Sequence, residues 1–367
     1  MRNVAALPTG EGAESRASRI EGVGAFVGTK TVTTAGRAPG TPNGHRPRSH
    51  RRRSRWRPAA PVAMVLLLVL TAVSGAVARP PGPPYPAGPL PIATGDEGTV
   101  YYFYGYAMME VIRQQMPGLE PYIVVTDSTQ RNLVLIEHGK ASLGFATADV
   151  ITSLPSGDTE HLATLGRLYD DYLHLVVRRD SGIHSLTDLR GKRVSIGLDG
   201  SSTQRTVNRL LTAARLSDQD LTTIRLGLDA SADALAAGRI DAFFFFGGVP
   251  TDRLDPLKPF GLVDLAEWVP KLRQGYGGFY SEQFIPQSAY GPGMQPVTTV
   301  GVPTYLVVPK SMDPDLAYAL TAMLFDQRDT LAKGHPAVER LDRRAAINTL
   351  PLRLHPGAVR YYQDTKI

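Results

Sequence analysis

From residue 90 onward, short runs of β-type residues alternate with helical patterns, and this alternation limits the possible fold more than any other feature. Strands are predicted at 90–93, 122–125, 142–146, 164–169, 193–197, 223–226 and 242–246, and the helices between them at 101–116, 129–138, 202–214 and 231–237. A strand, a helix and a second strand in succession form a βαβ unit on a mostly parallel sheet. The sequence therefore predicts an α/β fold.

Two further β-runs, 173–178 and 300–308, flank the middle α/β block. A chain that crosses twice between two lobes would cross there, with 92–174 plus 303–367 as the first lobe and 175–302 as the second. Ligands of open α/β sheets bind at the carboxyl ends of the strands, so a cleft is expected between the lobes. Two other features complete the second half. The stretch 275–296, rich in Gly, Pro and Tyr, is predicted to be a binding loop or flap, and helices are predicted at 314–333, 336–348 and 356–362.

The amino-terminal part has the pattern of an export signal. Residues 1–60 form a basic leader without apolar periodicity and are predicted to be disordered. Residues 61–78 combine a short apolar run with the cleavage pattern Ala76-Val77-Ala78, and 79–91 is a proline-rich tether. An uncleaved anchor is the alternative, because an apolar stretch of this length is at the lower edge of what spans a bilayer. Either way, we expect the protein to work outside the cytoplasm, as a periplasmic, secreted or cell-surface protein.

Charge and cysteine content exclude several classes of function. The net charge is +6, but residues 1–79 carry 13 of the 40 basic and only 3 of the 34 acidic residues, so the remainder is mildly acidic. A nucleic-acid-binding surface is therefore not expected. The absence of cysteine excludes disulfides, thiolate metal sites and a lipid-modified cysteine. We found no nucleotide-binding, zinc-protease or serine-hydrolase motif and no metal spacing among the histidines. We therefore predict no catalytic residue, no metal and no cofactor, and hence a protein that is not an enzyme.

Three polar turns follow predicted strands and carry the candidate binding chemistry. They are 94–99 (TGDEGT), 126–129 (TDST) and 198–203 (LDGSST), and each opens a helix. Glycines let the backbone approach a ligand, hydroxyls form hydrogen bonds, and helix N-termini offer free N–H groups. Capping alone would also explain any one of these turns. Phe246 and the turn after it are a further candidate, as the apolar wall of the cleft.

At these turns the chain resembles the TAXI family, the extracytoplasmic solute receptors of TRAP-type tripartite transporters. The matching segments are IATG…VYYFYG (92–105), LVLIEHGKASLGFATADV (133–150), LHLVVRRDSGIHSLTDLRGKRVSIG (173–197), GSST (200–203), GRIDAFFFFGGVPT (238–251), VPTYLVVPKSM (302–312) and LPLRLHPGAVRYY (350–362). The resemblance implies a class II periplasmic-binding-protein fold that closes on a small solute, amino-acid or carboxylate-like, and delivers it to membrane subunits. Contact with a membrane would be through the transporter or an uncleaved anchor.

The resemblance also implies which residues line the ligand pocket. They are Thr94, Gly95, Thr99, Tyr101, Asn132, Thr147, Asp149, Ser201, Ser202, Thr203, Gly247, Gly248 and Thr251. From the residues alone, Asp149 is either a helix cap or a pocket carboxylate.

Three acidic residues depart from the family pattern and suggest a different specificity. The first turn carries Asp96 and Glu97, and the second carries Asp127. Unpaired carboxylates near a cleft would repel a dicarboxylate. We therefore expect a ligand that has a cationic group or is not a dicarboxylate. The alternative is that these residues point to solvent and act only as helix caps.

Two other classes of function remain open from the sequence. A membrane-anchored ectodomain that senses a solute for a signalling system would keep the leader as an anchor and use the proline-rich tether as a stalk. An exported enzyme on the same fold would need a nucleophile and base, and no such pair was identified.

Overall fold

The computed structural model describes residues 84–217 and 219–366. The predicted leader (1–60), the predicted signal (61–78) and the first part of the tether lie outside the described residues. Within the described residues, no helix is long and apolar enough to cross a membrane.

The strands and helices alternate over most of the described chain. The strands are β1 (Gly88–Ala93), β2 (Leu119–Val124), β3 (Leu143–Thr147), β4 (Leu162–Arg178), β5 (Arg193–Ser195), β6 (Thr222–Ile224), β7 (Ala242–Gly247), β8 (Phe260–Leu262), β9 (Ser281–Ile285) and β10 (Val297–Pro309). The α-helices are α1 (Val100–Gln115), α2 (Thr129–Glu137), α3 (Ala148–Ile151), α4 (Ser202–Ala213), α5 (Leu228–Ala236), α6 (Val269–Tyr276), α7 (Pro314–Asp326), α8 (Arg328–Leu331), α9 (Arg343–Ala346) and α10 (Pro356–Asp364).

These strands form one mixed sheet in the order β2-β1-β3-β10-β4-β7-β5-β6, with β8 beside β4 and β9 beside β10. Strands β1, β2 and β3 are parallel to one another, as are β5, β6 and β7. We call the first set, with α1–α3 and α7–α10, the first lobe. The second lobe comprises β5–β9 with α4–α6.

Two long strands belong to both lobes. β4 pairs antiparallel with β10 through residues 162–172 and with β7 through residues 172–177. β10 pairs with β9 through residues 297–301 and with β3 through residues 304–307. The lobes are therefore joined by two antiparallel strands. This is the two-lobed α/β fold of periplasmic binding proteins that the resemblance implied, and the predicted fold class is confirmed.

Each lobe has its own buried apolar packing beside the shared strands. In the first lobe, α1 lies against β1 so closely that a Cβ on Gly105 would come within 2.5 Å of Thr94 Cγ2. Tyr104 and Met108 of the same helix are fully buried. In the second lobe, Phe243 and Phe245 of β7 are buried, as expected for a strand covered on both faces. This packing holds the strand ends, and the turns that follow them, in place.

Four segments differ from their predictions, and one of them is the helix predicted at 314–333, which is interrupted at Gln327 and forms α7 and α8. The β-runs predicted at 164–169 and 173–178 are one continuous strand, β4, because the polar pair between them stays within the ladder. The stretch 275–296 is not a bare loop, since it contains β9, which pairs with β10. The helix predicted at 336–348 is a 3-10 helix, Pro336–Arg340, followed by the short α9.

Candidate functional site: a cleft between the lobes

A cavity of about 120 Å³ lies where turns from both lobes meet β4. The first lobe contributes Thr94, Gly95, Asp96, Thr99, Val100, Tyr101, Asp127, Ser128 and Thr129. The second lobe contributes Gly197, Leu198, Ser201, Ser202, Thr203, Leu226, Gly227, Leu228, Phe244, Phe245 and Phe246, and β4 contributes Asp171. The three polar turns singled out in the sequence are thus brought together around one space.

Four helices begin at this cavity. Thr99, Ser128, Ser201 and Gly227 are the N-cap residues of α1, α2, α4 and α5, and each lines the cavity. The hydroxyls of the first three accept hydrogen bonds from backbone N–H groups inside their own helices. The positive ends of four helix dipoles therefore face the ligand space, with three of them capped by the chain itself.

Tyr101 connects the first turn to the base of the cavity. Its ring stacks on Phe145 of β3 with 5.2 Å between centroids. Its hydroxyl lies 3.4 Å from the hydroxyl of Thr304 on β10. The aromatic ring is therefore held by packing, while its polar end is directed at the crossing strands.

Asp171 is a cavity residue that the sequence interpretation did not identify. It is 4% exposed, and its Oδ2 accepts a hydrogen bond of 2.9 Å from the Thr304 hydroxyl. Burial is the main reason that its pKa is raised to about 7, while the hydroxyls of Thr304 and Tyr101 lower it. The signal that could have revealed Asp171 is the pair of adjacent carboxylates Asp170-Asp171, which interrupts a mostly apolar strand.

Asp149 does not line the cavity and does not occupy the N-cap position of α3, which is Thr147. Its side chain is fully buried and accepts hydrogen bonds from the hydroxyls of Ser202 and Thr206 on α4. Burial raises its pKa, and the hydroxyls lower it in part. Asp149 is thus neither of the two alternatives predicted for it, because it joins α3 of the first lobe to α4 of the second.

The third turn has a backbone that only glycine adopts easily. Gly197 has φ +90°, and a Cβ there would come within 2.7 Å of the Thr203 side chain. Thr203 Oγ1 in turn accepts a hydrogen bond of 3.1 Å from the Phe246 backbone N–H. The turn is therefore tied to the end of β7, which places Phe246 on the cavity wall as the sequence suggested.

Five other predicted site residues lie outside the lining of this cavity, and one of them is Thr147, which is fully buried. Asn132 is fully buried and supports the turns, since its side chain accepts a hydrogen bond from Thr126 Oγ1 (2.6 Å) and donates one to the backbone oxygen of Phe145. Gly247 is the last residue of β7, Gly248 and Thr251 follow it, and none of the three belongs to the lining. A Cβ on Gly248 would clash with the ring of His335 of the first lobe, so this turn contacts the other lobe.

The acidic residues of the first two turns are exposed, and two of them line the cavity. Asp96 and Asp127 belong to the lining, whereas Glu97 does not. None of the three is an N-cap residue, because Thr99 and Ser128 fill those positions. Their exposure agrees with the alternative that they point to solvent, although none of them occupies an N-cap position. Desolvation and the neighbouring Asp127 and Asp229 raise the pKa of Asp96.

The two lobes contact each other across the mouth of the cavity. The backbone N–H of Gln130 on α2 donates a hydrogen bond of 3.4 Å to the oxygen of Gly200. A Cβ on Gly227 would lie 3.5 Å from Asp96 Oδ2. These contacts, with the Asp149 bridge deeper inside, describe a closed cleft.

The charged side chains of the cavity lining are all acidic. Among the described residues, the lining holds three carboxylates, Asp96, Asp127 and Asp171, and no lysine, arginine or histidine. Within the same part of the chain, no group of three or more His, Asp or Glu side chains is placed to hold a metal ion. The arrangement can form hydrogen bonds with a polar solute, enclose an apolar portion against Phe246 and Leu198, and attract positive charge.

Comparison with known proteins gives a family match and several similar structures. The sequence profile of the NMT1-like family matches residues 92–365. The fold is similar to that of the alkanesulfonate-binding protein SsuA from Xanthomonas axonopodis pv. citri bound to MOPS, at 17% identity, 76% coverage of this chain, 91% of that chain and a TM-score of 0.46. The fold is also similar to that of the GluR0 ligand-binding core from Nostoc punctiforme in complex with L-glutamate. The identity is 16%, the match covers 67% of this chain and 97% of that chain, and the TM-score is 0.43.

Proposed function

The chain belongs to the NMT1-like family, and from the geometry of its cleft we propose that it is a receptor that binds one small organic solute between its lobes. The observation that carries the proposal is the cavity itself, which is lined by strand-end turns of both lobes and by the strand that joins them. A solute in this space contacts both lobes at once. Its binding therefore favours the closed arrangement over an open one.

The proposed mechanism is closure about the two shared strands. A ligand shifts an equilibrium between open and closed forms only to the extent that it binds the closed form more tightly. Here the closed form adds the contacts of Ser201 and Phe246 to those of Thr94 and Tyr101. The lobes also form the hydrogen bonds from Ser202 to Asp149 in that form.

The receptor is proposed to bind its solute without changing it. Serine and threonine hydroxyls line the cavity, but within the described lining no histidine or lysine stands beside them as a general base. The hydroxyls of Thr99, Ser128 and Ser201 are engaged in helix capping. This arrangement supports binding and not nucleophilic catalysis.

Delivery to a TRAP-type transporter outside the cytoplasm is the more specific part of the proposal. It is supported by the resemblance of residues 92–362 to the TAXI receptors and by the export pattern at 61–78. A proteoliposome assay with candidate TRAP membrane subunits tests it. Uptake of the co-purified solute should require both this protein and an ion gradient. Uptake that proceeds equally without the protein would contradict the assignment.

The receptor function is tested by mass spectrometry and solution scattering on the purified chain. Native mass spectra should show one small solute per chain, and scattering should show a smaller radius of gyration with that solute than after its removal. The variant Asp127→Trp places a bulky ring at the cavity mouth and should abolish retention of the solute. The matched control Glu160→Trp changes an exposed acid outside the lining and should retain it. Identical scattering profiles at saturation would contradict closure.

A further inference from the structure

Resting on the proposed receptor function, we propose that the solute carries a primary ammonium group and that Asp171 binds this group at the base of the cleft. Asp171 lies where β4 passes from its pairing with β10 to its pairing with β7. This is the point at which the two lobes meet. A ligand held there is in reach of the turns of both lobes.

The polar atoms around Asp171 are suited to an N–H donor. Its carboxylate is buried, accepts a hydrogen bond from Thr304 Oγ1 at 2.9 Å, and lines the cavity. The Tyr101 hydroxyl lies 3.4 Å from Thr304 Oγ1. The Asp171 carboxylate and the Tyr101 hydroxyl, which both line the cavity and can accept hydrogen bonds, are thus gathered at one end of it, with the Thr304 hydroxyl behind them. A primary ammonium group, with three N–H donors, matches this set better than a quaternary one, which has none.

The charge of the lining points in the same direction. Asp171 has no cationic partner among the described lining residues, and Asp96 and Asp127 add two more negative groups. Close to the cavity, Arg225 is engaged by Asp199 at 2.7 Å. Burying a carboxylate without a partner costs several kcal/mol in general. A dicarboxylate would add to this repulsion, whereas an ammonium group would relieve it.

The four helix N-termini at the cavity favour an anion rather than an ammonium group. Their effect must be compared with that of the carboxylates. Each helix terminus carries only a partial positive charge that favours an anion. At three of the four, Thr99, Ser128 and Ser201 already accept one N–H hydrogen bond each. The full negative charge of Asp171, buried at the base of the cavity, outweighs these partial positive charges. The termini can therefore accommodate a second, anionic or neutral polar group of the same solute.

Proton uptake by Asp171 makes the binding of an ammonium group dependent on pH. The titratable groups around it are Tyr101 on α1, Asp149 on α3, and Tyr169 and Asp170 on β4. Burial, with the negative charges of Asp149 and Asp170, raises the pKa of Asp171 to about 7. Below that pH the ammonium group must displace a proton, so affinity should fall about tenfold per pH unit.

The test combines identification of the solute with binding to defined probes. Solute released by denaturing freshly purified protein is treated with an amine-reactive reagent and examined by mass spectrometry. In parallel, calorimetry at pH 7.5 measures 4-aminobutanoate, 1,4-diaminobutane, glycine, succinate and 2-oxoglutarate. We expect the released solute to react with the amine reagent. Binding of the amine-containing solute should weaken at least 30-fold in Asp171→Asn and remain unchanged in Asp158→Asn, which alters an exposed acid.

The variant Thr304→Val keeps Asp171 and removes only its hydrogen-bond donor, so it serves if Asp171→Asn does not fold. It should weaken the same binding several-fold. A released solute without an amine, or tight binding of succinate or 2-oxoglutarate that survives Asp171→Asn, overturns the inference and leaves the receptor function standing. Absence of any released solute together with no binding of any probe would overturn the receptor function as well.

Discussion

Asp149 and Asp171 are both buried carboxylates of the same cleft region, yet they are placed for different tasks. Asp149 accepts hydrogen bonds from Ser202 and Thr206, which belong to the opposite lobe. Asp171 accepts a hydrogen bond from Thr304, on the neighbouring shared strand, and lines the ligand space. The first carboxylate is enclosed by protein hydroxyls, whereas the second is left facing the space where a solute binds.

The comparison shows how one kind of side chain can serve closure in one place and recognition in another. Burial raises the pKa of both groups. Hydroxyl donors of the protein itself compensate Asp149 in the closed form. Asp171 has fewer protein donors, so the remaining compensation is available to a ligand.

The largest expected effect is on the pH dependence of stability, and it belongs to Asp171. Its folded-state pKa of about 7 lies above the unfolded value of 3.8, so the folded protein loses stability as pH rises between these values. Asp171→Asn removes this loss. We compare the free energy of unfolding of Asp171→Asn with that of wild type in the absence of ligand. The difference in favour of the variant should increase by about 3 kcal/mol between pH 5 and pH 8.

Urea unfolding of both proteins at the two pH values measures this difference. Asp158→Asn is the control, because it changes an exposed acid and should follow wild type. Parallel behaviour of Asp171→Asn and wild type would show that Asp171 is not the group responsible.

Removal of the Asp149 carboxyl should lower stability at constant pH. Asp149→Ala leaves the Ser202 and Thr206 hydroxyls without their acceptor inside the protein. We expect the free energy of unfolding to fall by about 2 kcal/mol at pH 7. Asp149→Asn keeps an acceptor oxygen and should lose less. Urea unfolding tests both variants beside Asp158→Ala, and equal losses in the two Asp149 variants would contradict the role of the hydroxyl pairs.

A smaller effect is expected when Asp171 loses its hydroxyl donor. The hydrogen bond from Thr304 lowers the pKa of Asp171, so Thr304→Val should raise that pKa by about one unit, equivalent to about 1.4 kcal/mol. The midpoint of the pH dependence of stability should move upward accordingly. Thr321→Val is the matched control, because this buried hydroxyl donates within α7 to Ala317. An unchanged midpoint in Thr304→Val would show that the hydrogen bond from Thr304 does not affect the pKa of Asp171.

The smallest effect is expected at the mouth. Desolvation, Asp127 and Asp229 raise the pKa of Asp96, so the ionised form is disfavoured in the folded state above pH 4. Asp96→Asn should therefore stabilise the protein at pH 7. The side chain is exposed and screened by solvent and salt, so we expect at most about 0.5 kcal/mol. Thermal unfolding at low and high salt measures it, and a stabilisation that grows with salt would contradict the electrostatic origin.

Much of the site could be predicted because it is built from local features. Turns at the ends of β-type runs identify Thr94, Thr99 and Ser201 without knowledge of the tertiary structure, since strand ends of parallel units meet at one edge. Asp171 could not be found in this way. It lies inside a strand, and only the crossing of β4 and β10 makes it face the cavity.

Two residues that were predicted at the ligand pocket lie outside its lining for the same reason. Asn132 and Asp149 follow the same local pattern as the lining residues, but each is covered by a neighbouring element. Asn132 is held between Thr126 and the Phe145 backbone, and Asp149 lies under α4. The sequence pattern indicates which end of the sheet carries a polar residue, whereas the depth at which that residue lies depends on long-range packing.

The position of β10 in the sheet has a consequence for synthesis of the chain. β10 lies between β3 and β4, although it is formed by residues 297–309 near the carboxyl end. Until a ribosome has released this segment, β3 and β4 each keep an unpaired edge, and such edges associate readily with other chains. The sheet of the nascent protein therefore stays incomplete until β10 is released, when this strand fills the gap between β3 and β4 and adds the second connection between the lobes.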